Sequence, residues 1–463
     1  MDAEQIQQLR PRLNAYLRQF DDCFARCEPV AHLKTYVLGQ LSDLPRKSIE
    51  PIADAAGQEP RTLQQFLSVH EWDHPRVRDI LQQRVAREHQ HSCSIGVIDE
   101  SGHSKKGDKT PGVQRQWCGR LGKVDNCVVT VHLAYVAGDF HCMVDSDLFL
   151  PESWSADRER CRRAKIPDDV VHRPKWQIAL EELDRAVANG MRFDWVTFDE
   201  NYPMNPEFLF ALDDRGQHYV GEVKRTYTGW LTPPALLYKR HPRAKGPSGH
   251  FPRLKKRNAR AISLENMLKY SPQLRKVPWE KFHIKDTQKG PMVWEAKAAP
   301  IYLKRSGLPT WPHWLVIARN IENPEEIKFF IANAPAGTPL EVLLHVGFSR
   351  WHVERCFEDE KTELGLSHFE VRNYQSLQRH LIVTAVTFLF LAETHQAWRG
   401  KKKSGPDGLP SANGQFGVGP LPVGVWPGPQ EVPGASGRHY HGDARSQPAS
   451  AGVPCESQAQ AAA

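Results

Sequence analysis

Ser94-Ile-Gly-Val-Ile-Asp-Glu and Phe193-Asp-Trp-Val-Thr-Phe-Asp are the two stretches that decide how this chain folds. Each holds a short apolar run, which reads as a buried strand, and each run closes on an aspartate, Asp99 and Asp199. Between them, Val128-Val-Thr-Val-His-Leu-Ala-Tyr-Val is a longer β-branched run. Trp176, Ala179, Leu180, Leu183, Ala186 and Val187 then recur at helical spacing up to Gly190. Strands alternating with helices predict an α/β core.

A carboxylate at the end of a buried strand is costly unless it is paired or holds a metal. Strand ends of open α/β sheets are also where sites form. Taken singly, either aspartate is more often a turn or cap residue. Two of them on neighbouring strands, with a third acid from a helix, would make an oxygen-rich cage for two divalent ions that clamp the attacking and leaving oxygens of a phosphodiester.

The third acid is sought in Arg350-Trp-His-Val-Glu-Arg-Cys-Phe-Glu-Asp-Glu-Lys. On a helix, Glu354, Glu358 and Lys361 share one face and Arg350 precedes them by one turn. Such a face would offer a carboxylate to a metal and two cations to phosphates. Charges at this spacing more often form a solvated face, but Trp351, Val353 and Phe357 interleave with them, so this helix is expected to be partly packed.

Outward from these motifs the chain divides into five. Residues 1–90 carry Leu9, Leu13, Tyr16, Leu17 and Phe20, then Leu63, Phe66, Leu67, Val77 and Leu81, at spacings of three and four between prolines, and read as short helices, either a DNA-binding domain or a bundle packed on the next domain. Residues 91–222 are the first part of the α/β core, and 223–340 an insertion. Residues 341–398 are its C-terminal helices, and 399–463 a Gly/Pro-rich tail too poor in apolar residues to bury a core, expected to be disordered.

The chain carries a net charge of +7, with Lys+Arg 61 against Asp+Glu 54. Residues 224–305 hold 20 Lys and Arg against four acids, a balance of +16, so the remainder sums to −9. So dense a cationic stretch, with Trp230, Trp279 and Trp294 set in it, predicts a folded, β-rich insertion that grips a polyanion through its phosphates; a basic disordered loop is the plainer alternative. Nine scattered cysteines make neither a disulfide framework nor a zinc site. The polar N-terminus and the lack of an apolar run of about 18 residues predict neither a signal peptide nor a membrane span, hence a cytoplasmic protein.

Several runs then resemble the IS701 family of bacterial insertion-sequence transposases. They are Val97-Ile-Asp-Glu-Ser-Gly-His-Ser-Lys-Lys-Gly-Asp, Gln116-Trp-Cys-Gly-Arg-Leu-Gly-Lys-Val-Asp-Asn-Cys, Leu148-Phe-Leu-Pro-Glu-Ser-Trp, Arg350-Trp-x-x-Glu-x-x-Phe, Phe369-Glu-Val-Arg and Arg379-His. The resemblance spans about residues 20–395 and implies a DDE transposase with an RNase H-like core of mixed α/β class, interrupted by the insertion. It implies Asp99, Asp199 and Glu354 as catalytic and metal-binding acids for two Mg²⁺ ions, with Mn²⁺ able to substitute. Arg350, Glu354 and Lys361 match the spacing of a signature of related transposases, whose tyrosine position falls on Gly347. The second motif departs from the family, with Phe198-Asp-Glu-Asn-Tyr-Pro here; Glu200 should face away from Asp199.

Candidate phosphate contacts are Arg350, Lys361, Lys105 and Lys106, with Lys123 nearby, and Lys255, Lys256 and Arg257 in the insertion. Expected partners are double-stranded DNA, as element ends and target, and a second copy of the chain in a synaptic dimer. Association with the nucleoid follows from the same resemblance. A domesticated DNA-binding protein, or an RNase H-like nuclease without strand transfer, are the rival readings.

Overall fold

The computed structural model describes residues 3–237, 252–256, 258–287 and 290–402. Five helices open it: α1 (Ala3–Leu17), α2 (Cys27–Leu41), α3 (Ile49–Ala55), α4 (Pro60–Ser68) and α5 (His74–Glu88). Proline stands in the first turn of α4 and α5, where a missing N–H costs nothing, and the Asp73 carboxylate caps α5 by accepting from the Arg76 N–H.

Strands β1 (Ile95–Ser104), β2 (Gln114–Cys118), β3 (Lys123–Ala137) and β4 (Phe140–Leu148) follow. Then come α6 (Glu152–Ala156), α7 (Arg158–Arg163), α8 (Lys175–Ala188), β5 (Trp195–Phe198), α9 (Glu207–Asp214) and β6 (Val220–Val223). β1 lies antiparallel on one edge of β3, and β2 and β4 lie on the other. β5 joins β1 in parallel, with Ile98 beside Phe198, and Val196 bridges in parallel to Tyr219 just before β6. Antiparallel strands continued by parallel ones make the mixed sheet expected of an RNase H-like core.

The insertion is folded and β-rich. β7 (Thr228–Trp230), β8 (Leu236–Leu237), β9 (Arg253–Leu254), β10 (Ile262–Ser263), α10 (Leu264–Tyr270), α11 (Pro272–Lys276), β11 (Glu280–Thr287), β12 (Gly290–Arg305), β13 (Leu308–Asn320) and β14 (Ile327–Ala332) come in turn. The antiparallel order is β10-β7-β12-β13-β14-β6, with β11 also on β12. β6 thus belongs to this second sheet while the chain just before it bridges to the first, so the insertion grows from the edge of the core. Its tryptophans explain why it folds. Trp294 is buried against Phe348 at 4.8 Å between ring centres, and Trp279 lies under both Lys297 Nζ and the Arg319 guanidinium, at 4.3 and 4.4 Å.

Helices α12 (Leu340–Phe348), α13 (Trp351–Thr362) and α14 (Tyr374–Lys402) close the described chain. The C-terminal helices expected over 341–398 are thus three. Gly365 at φ 72° takes the turn after α13, a backbone that a side chain disfavours. α14 runs past the boundary set at 398, and the rest of the expected disordered tail lies outside the described residues.

α14 is long and apolar enough to cross a membrane, which the sequence reading did not expect, yet 56% of its most apolar window is buried inside the protein. The N-terminal helices cover it. Tyr36 Oη meets His380 Nδ1 at 2.9 Å, the Tyr16 hydroxyl donates to the Val386 carbonyl at 2.8 Å, and Gln40 pairs with Thr384 and Thr387. Buried Arg379 donates to the carbonyls of Phe66, Leu67 and Trp72.

Candidate active site

Alternation along β1 puts Asp99, Ser101 and His103 on one face, all buried. Asp199 stands one residue beyond β5, and the parallel register that aligns Ile98 with Phe198 sets it beside Asp99. The turn after it holds its carboxylate, with the Asn201 N–H donating to Oδ1 at 3.0 Å and Asn201 Nδ2 to Oδ2 at 2.8 Å. Glu354 enters from the first turn of α13. All three acids line one cavity of about 530 Å³, together with Trp117, Arg120, Arg350 and Lys361.

Arg350 sits between the acids. One guanidinium nitrogen donates to Asp99 Oδ2 at 3.1 Å, the other to Glu354 Oε1 at 2.9 Å. Burial pushes the Asp99 carboxyl up, the neighbouring Asp199 charge pushes it further and Arg350 partly offsets both, leaving it at about 7. Burial also lowers the Lys361 ammonium.

α13 is held over the sheet by Phe357, whose packing the sequence predicts, on histidines that the sequence reading missed. His132 lies opposite Asp99 across β1 and β3, and the Phe357 ring meets the His132 ring edge-on at 4.9 Å. A buried chain of hydrogen bonds runs beneath: Ser367 Oγ to His103 Nδ1 at 3.0 Å, His103 Nε2 to Thr130 Oγ1 at 2.8 Å, Thr130 Oγ1 to His132 Nε2 at 2.6 Å, and His132 Nδ1 to Ser146 Oγ at 2.7 Å. Only the even spacing of His103 with Asp99 on β1 hinted at it. Gly347, at the signature's tyrosine position, faces the Phe330 ring 3.0 Å from where a Cβ would stand. A tyrosine does not fit there without displacing that ring, and Phe348 is turned inward against Trp294 and Phe330 instead.

A sequence profile of the DDE superfamily endonuclease family matches residues 19–291, well over half of the chain. The protein belongs to the DDE superfamily endonucleases. Asp99 and Asp199 fall inside the matched residues, and Glu354 lies beyond their end. This DDE endonuclease is also 25% identical over 370 residues to the "Probable transposase for insertion sequence element IS701" of Microchaete diplosiphon, across 79% of this chain and 83% of that protein.

DDE endonucleases use divalent metal ions, so the donor set bears on the fit. Asp99 and Asp199 lie side by side, and the buried Ser101 hydroxyl, on the same strand face as Asp99 and lining the same cavity, has no hydrogen-bond partner. Oxygen donors alone, with one left unsatisfied, suit a hard cation. Among the described residues no three His, Cys, Asp or Glu side chains converge tightly enough to hold a metal as they stand. At the acids, the Arg350 guanidinium bonds both Asp99 and Glu354.

The other candidate contacts of the DDE endonuclease scatter. Lys105 does not present a free ammonium: its Nζ donates to the carbonyls of Ser367 and Phe369 at 2.9 and 2.7 Å, and burial lowers it to about 7. It ties the end of β1 to the chain after α13. Lys106 is exposed on the rim of a second, larger cleft. Lys123 is exposed beside Asp125, at 3.7 Å. Lys255 and Lys256 are exposed next to β9, outside the cavity, and Arg257 lies outside the described residues.

Proposed function

We propose that the protein is the transposase of an insertion sequence, cutting the ends of its element and joining them to target DNA. The observation that carries this reading is the meeting of three acids from three separate elements, Asp99, Asp199 and Glu354, in one cavity that cations also line. Asp99 and Asp199 would hold the metal from the sheet, and Glu354 would complete the set once Arg350 turns from the acids to a phosphate. Two divalent ions, Mg²⁺ or Mn²⁺, would supply there an activated oxygen nucleophile and a stabilised leaving oxygen.

The rest falls to the chain's own residues, mainly positioning and charge stabilisation. Arg350 and Lys361 neutralise the scissile phosphate. The α13 helix, seated on His132 through Phe357, sets the height of Glu354 over the two aspartates. Residues 1–90 recognise the terminal inverted repeats, residues 223–340 add sequence-independent grip on the backbone, and two copies pair the ends.

The test is an assay of purified full-length protein on DNA carrying the element's own ends with flanking sequence, with and without Mg²⁺. Metal-dependent nicking at the element boundary, followed by covalent joining of the freed 3′-OH to a target plasmid, is expected. Nicking without joining would leave a nuclease, and metal-independent binding without nicking would leave a DNA-binding protein; either result overturns the proposal.

A further inference from the structure

Among the large side chains of the core sheet, Trp117 is out of place. It belongs to β2, it is 57% exposed, and its cross-strand neighbour Val124 and nearby Leu121 are exposed too, at 53% and 42%. Among the described residues no other ring and no cation lies over it. An exposed apolar tip of this kind on a hairpin is normally turned inward or covered. Exposed Arg115 precedes it by two residues on the same strand face, and Trp117, Gly119 and Arg120 line the same cavity as Asp99, Asp199 and Glu354. An aromatic face, a guanidinium and the acids therefore border one space.

We propose that the β2–β3 hairpin is a nucleotide-binding finger in which the Trp117 indole stacks on an unpaired base adjacent to the phosphate that Arg350 and Lys361 neutralise. The proposal rests on the reading of the cavity as a DNA-cleaving site. A base inside a duplex has both faces covered by its neighbours, so it offers an indole nothing; a base freed where the strand is opened for cutting offers a whole π-face of any sequence. Arg120 is placed to take that nucleotide's phosphate while the ring takes its base. The hairpin's apolar tip then serves as a wedge against the remaining stack. Gly122, at φ 60°, makes the tight turn between β2 and β3.

The experiment uses the full chain, metal-free with chelator so that nothing is cut, and two probes: a plain DNA duplex and the same duplex ending in a short unpaired fork. The first unpaired base of the fork is 2-aminopurine. Wild-type protein is expected to prefer the fork and to quench the 2-aminopurine on binding. Trp117→Ala should lose the quenching and weaken fork binding by about tenfold with duplex binding unchanged, and Trp117→Phe should keep most of both. Because the side chain is exposed, unchanged thermal melting of the variants is the folding control. Quenching and fork preference that survive in Trp117→Ala would overturn the proposal alone. Altered sedimentation of Trp117→Ala with DNA binding intact would overturn it in favour of a protein-protein contact. Failure of the wild type to bind either probe would bring down the DNA reading and this proposal together.

Discussion

Two clefts open along β1, one bordered by α13 and the other by the chain that follows it, and their electrostatics are opposite. The smaller, about 530 Å³, holds Asp99, Asp199 and Glu354 with Arg350 bonded between two of them. The larger, about 1460 Å³, is bordered by Arg46, Lys105, Lys106, Lys109, Arg163 and Arg372 against Glu50, Asp108 and Glu370. In the first, Asp99 is buried and bonded to Arg350, so it is displaced far from an ordinary carboxyl, while Glu354 and Arg120 reach solvent. In the second Lys106, Lys109, Arg163 and Arg372 are exposed. Bond-breaking demands charges fixed in a poorly hydrated place, whereas holding a long polyanion demands only that cations reach it. The contrast teaches that a charge's role here follows from how far it has been taken out of water.

The largest expected effect breaks the small cleft and leaves the large one. Asp99→Asn removes a carboxylate at nearly unchanged volume, and metal-dependent cleavage should fall by on the order of 10³-fold. Duplex binding measured by anisotropy should stay within a few-fold. Loss of binding in step with cleavage would show that the two clefts are not separable. Arg350→Ala should act less strongly, roughly 10–100-fold on cleavage. Since Arg350 offsets the effects that raise Asp99, its loss should keep Asp99 protonated to higher pH, and the rising limb of the pH–rate profile should move upward. A profile that does not move would place Arg350 outside the electrostatics of the acids.

A smaller effect concerns the layer beneath both clefts. Burial lowers His132, under the acids, to about 3, and His380, which bonds Tyr36 in the wall of the large cleft, to about 4. Both folded-state values are depressed, so each histidine's contribution is fully present above about 6.5, its unfolded value, and is lost as pH falls toward the folded one. Raised carboxyls such as Asp99 contribute with the opposite sign, so the measurement is a difference: in denaturant melts at pH 7, 6 and 5, His132→Gln or His380→Gln should lose roughly 1 kcal/mol less stability per pH unit below about 6.5 than the wild type. A difference from wild type that does not change with pH would mean that these rings take up protons in the folded state.

The acid cleft was far more legible in the sequence than the basic one. Asp99 and Asp199 close apolar runs, and Arg350, Glu354, Glu358 and Lys361 share one helical face; local pattern flags them, and only the family signature singles out Glu354 over Glu358. That Arg350 would bond the acids was not legible, because it depends on α13 docking across β1. Lys105 shows the converse: its sequence neighbours Lys106 and Lys109 are exposed, and only the path of residues 367–369 turns it into a half-buried tether. β4 went unread because Asp145 and Asp147 interrupt its apolar alternation. Both are buried and paired with arginines, Asp145 with Arg185 at 2.9 Å and Asp147 with Arg173 at 3.0 Å. The five N-terminal helices were legible as helices, but their docking on α14 through Arg379 and Gln40 is a matter of contacts more than three hundred residues apart.

The smallest effect separates two basic surfaces that composition lumps together. Lys106 and Lys109 rim the large cleft, while Lys255 and Lys256 stand exposed on the insertion. Each lysine that neutralises a phosphate adds about 0.9 to the salt slope of duplex binding. Replacing either pair with glutamine should therefore flatten the slope by up to about 2 and weaken binding only modestly at moderate salt. If both pairs flatten it, the duplex touches the cleft and the insertion at once, and the +16 of residues 224–305 serves the same DNA that the acids cut. If only Lys106→Gln with Lys109→Gln does so, the insertion's lysines meet something else, and the charge balance loses its standing as an argument about the DNA bound for cleavage. The slope decides this where affinity does not, because it counts phosphates rather than summing all contacts.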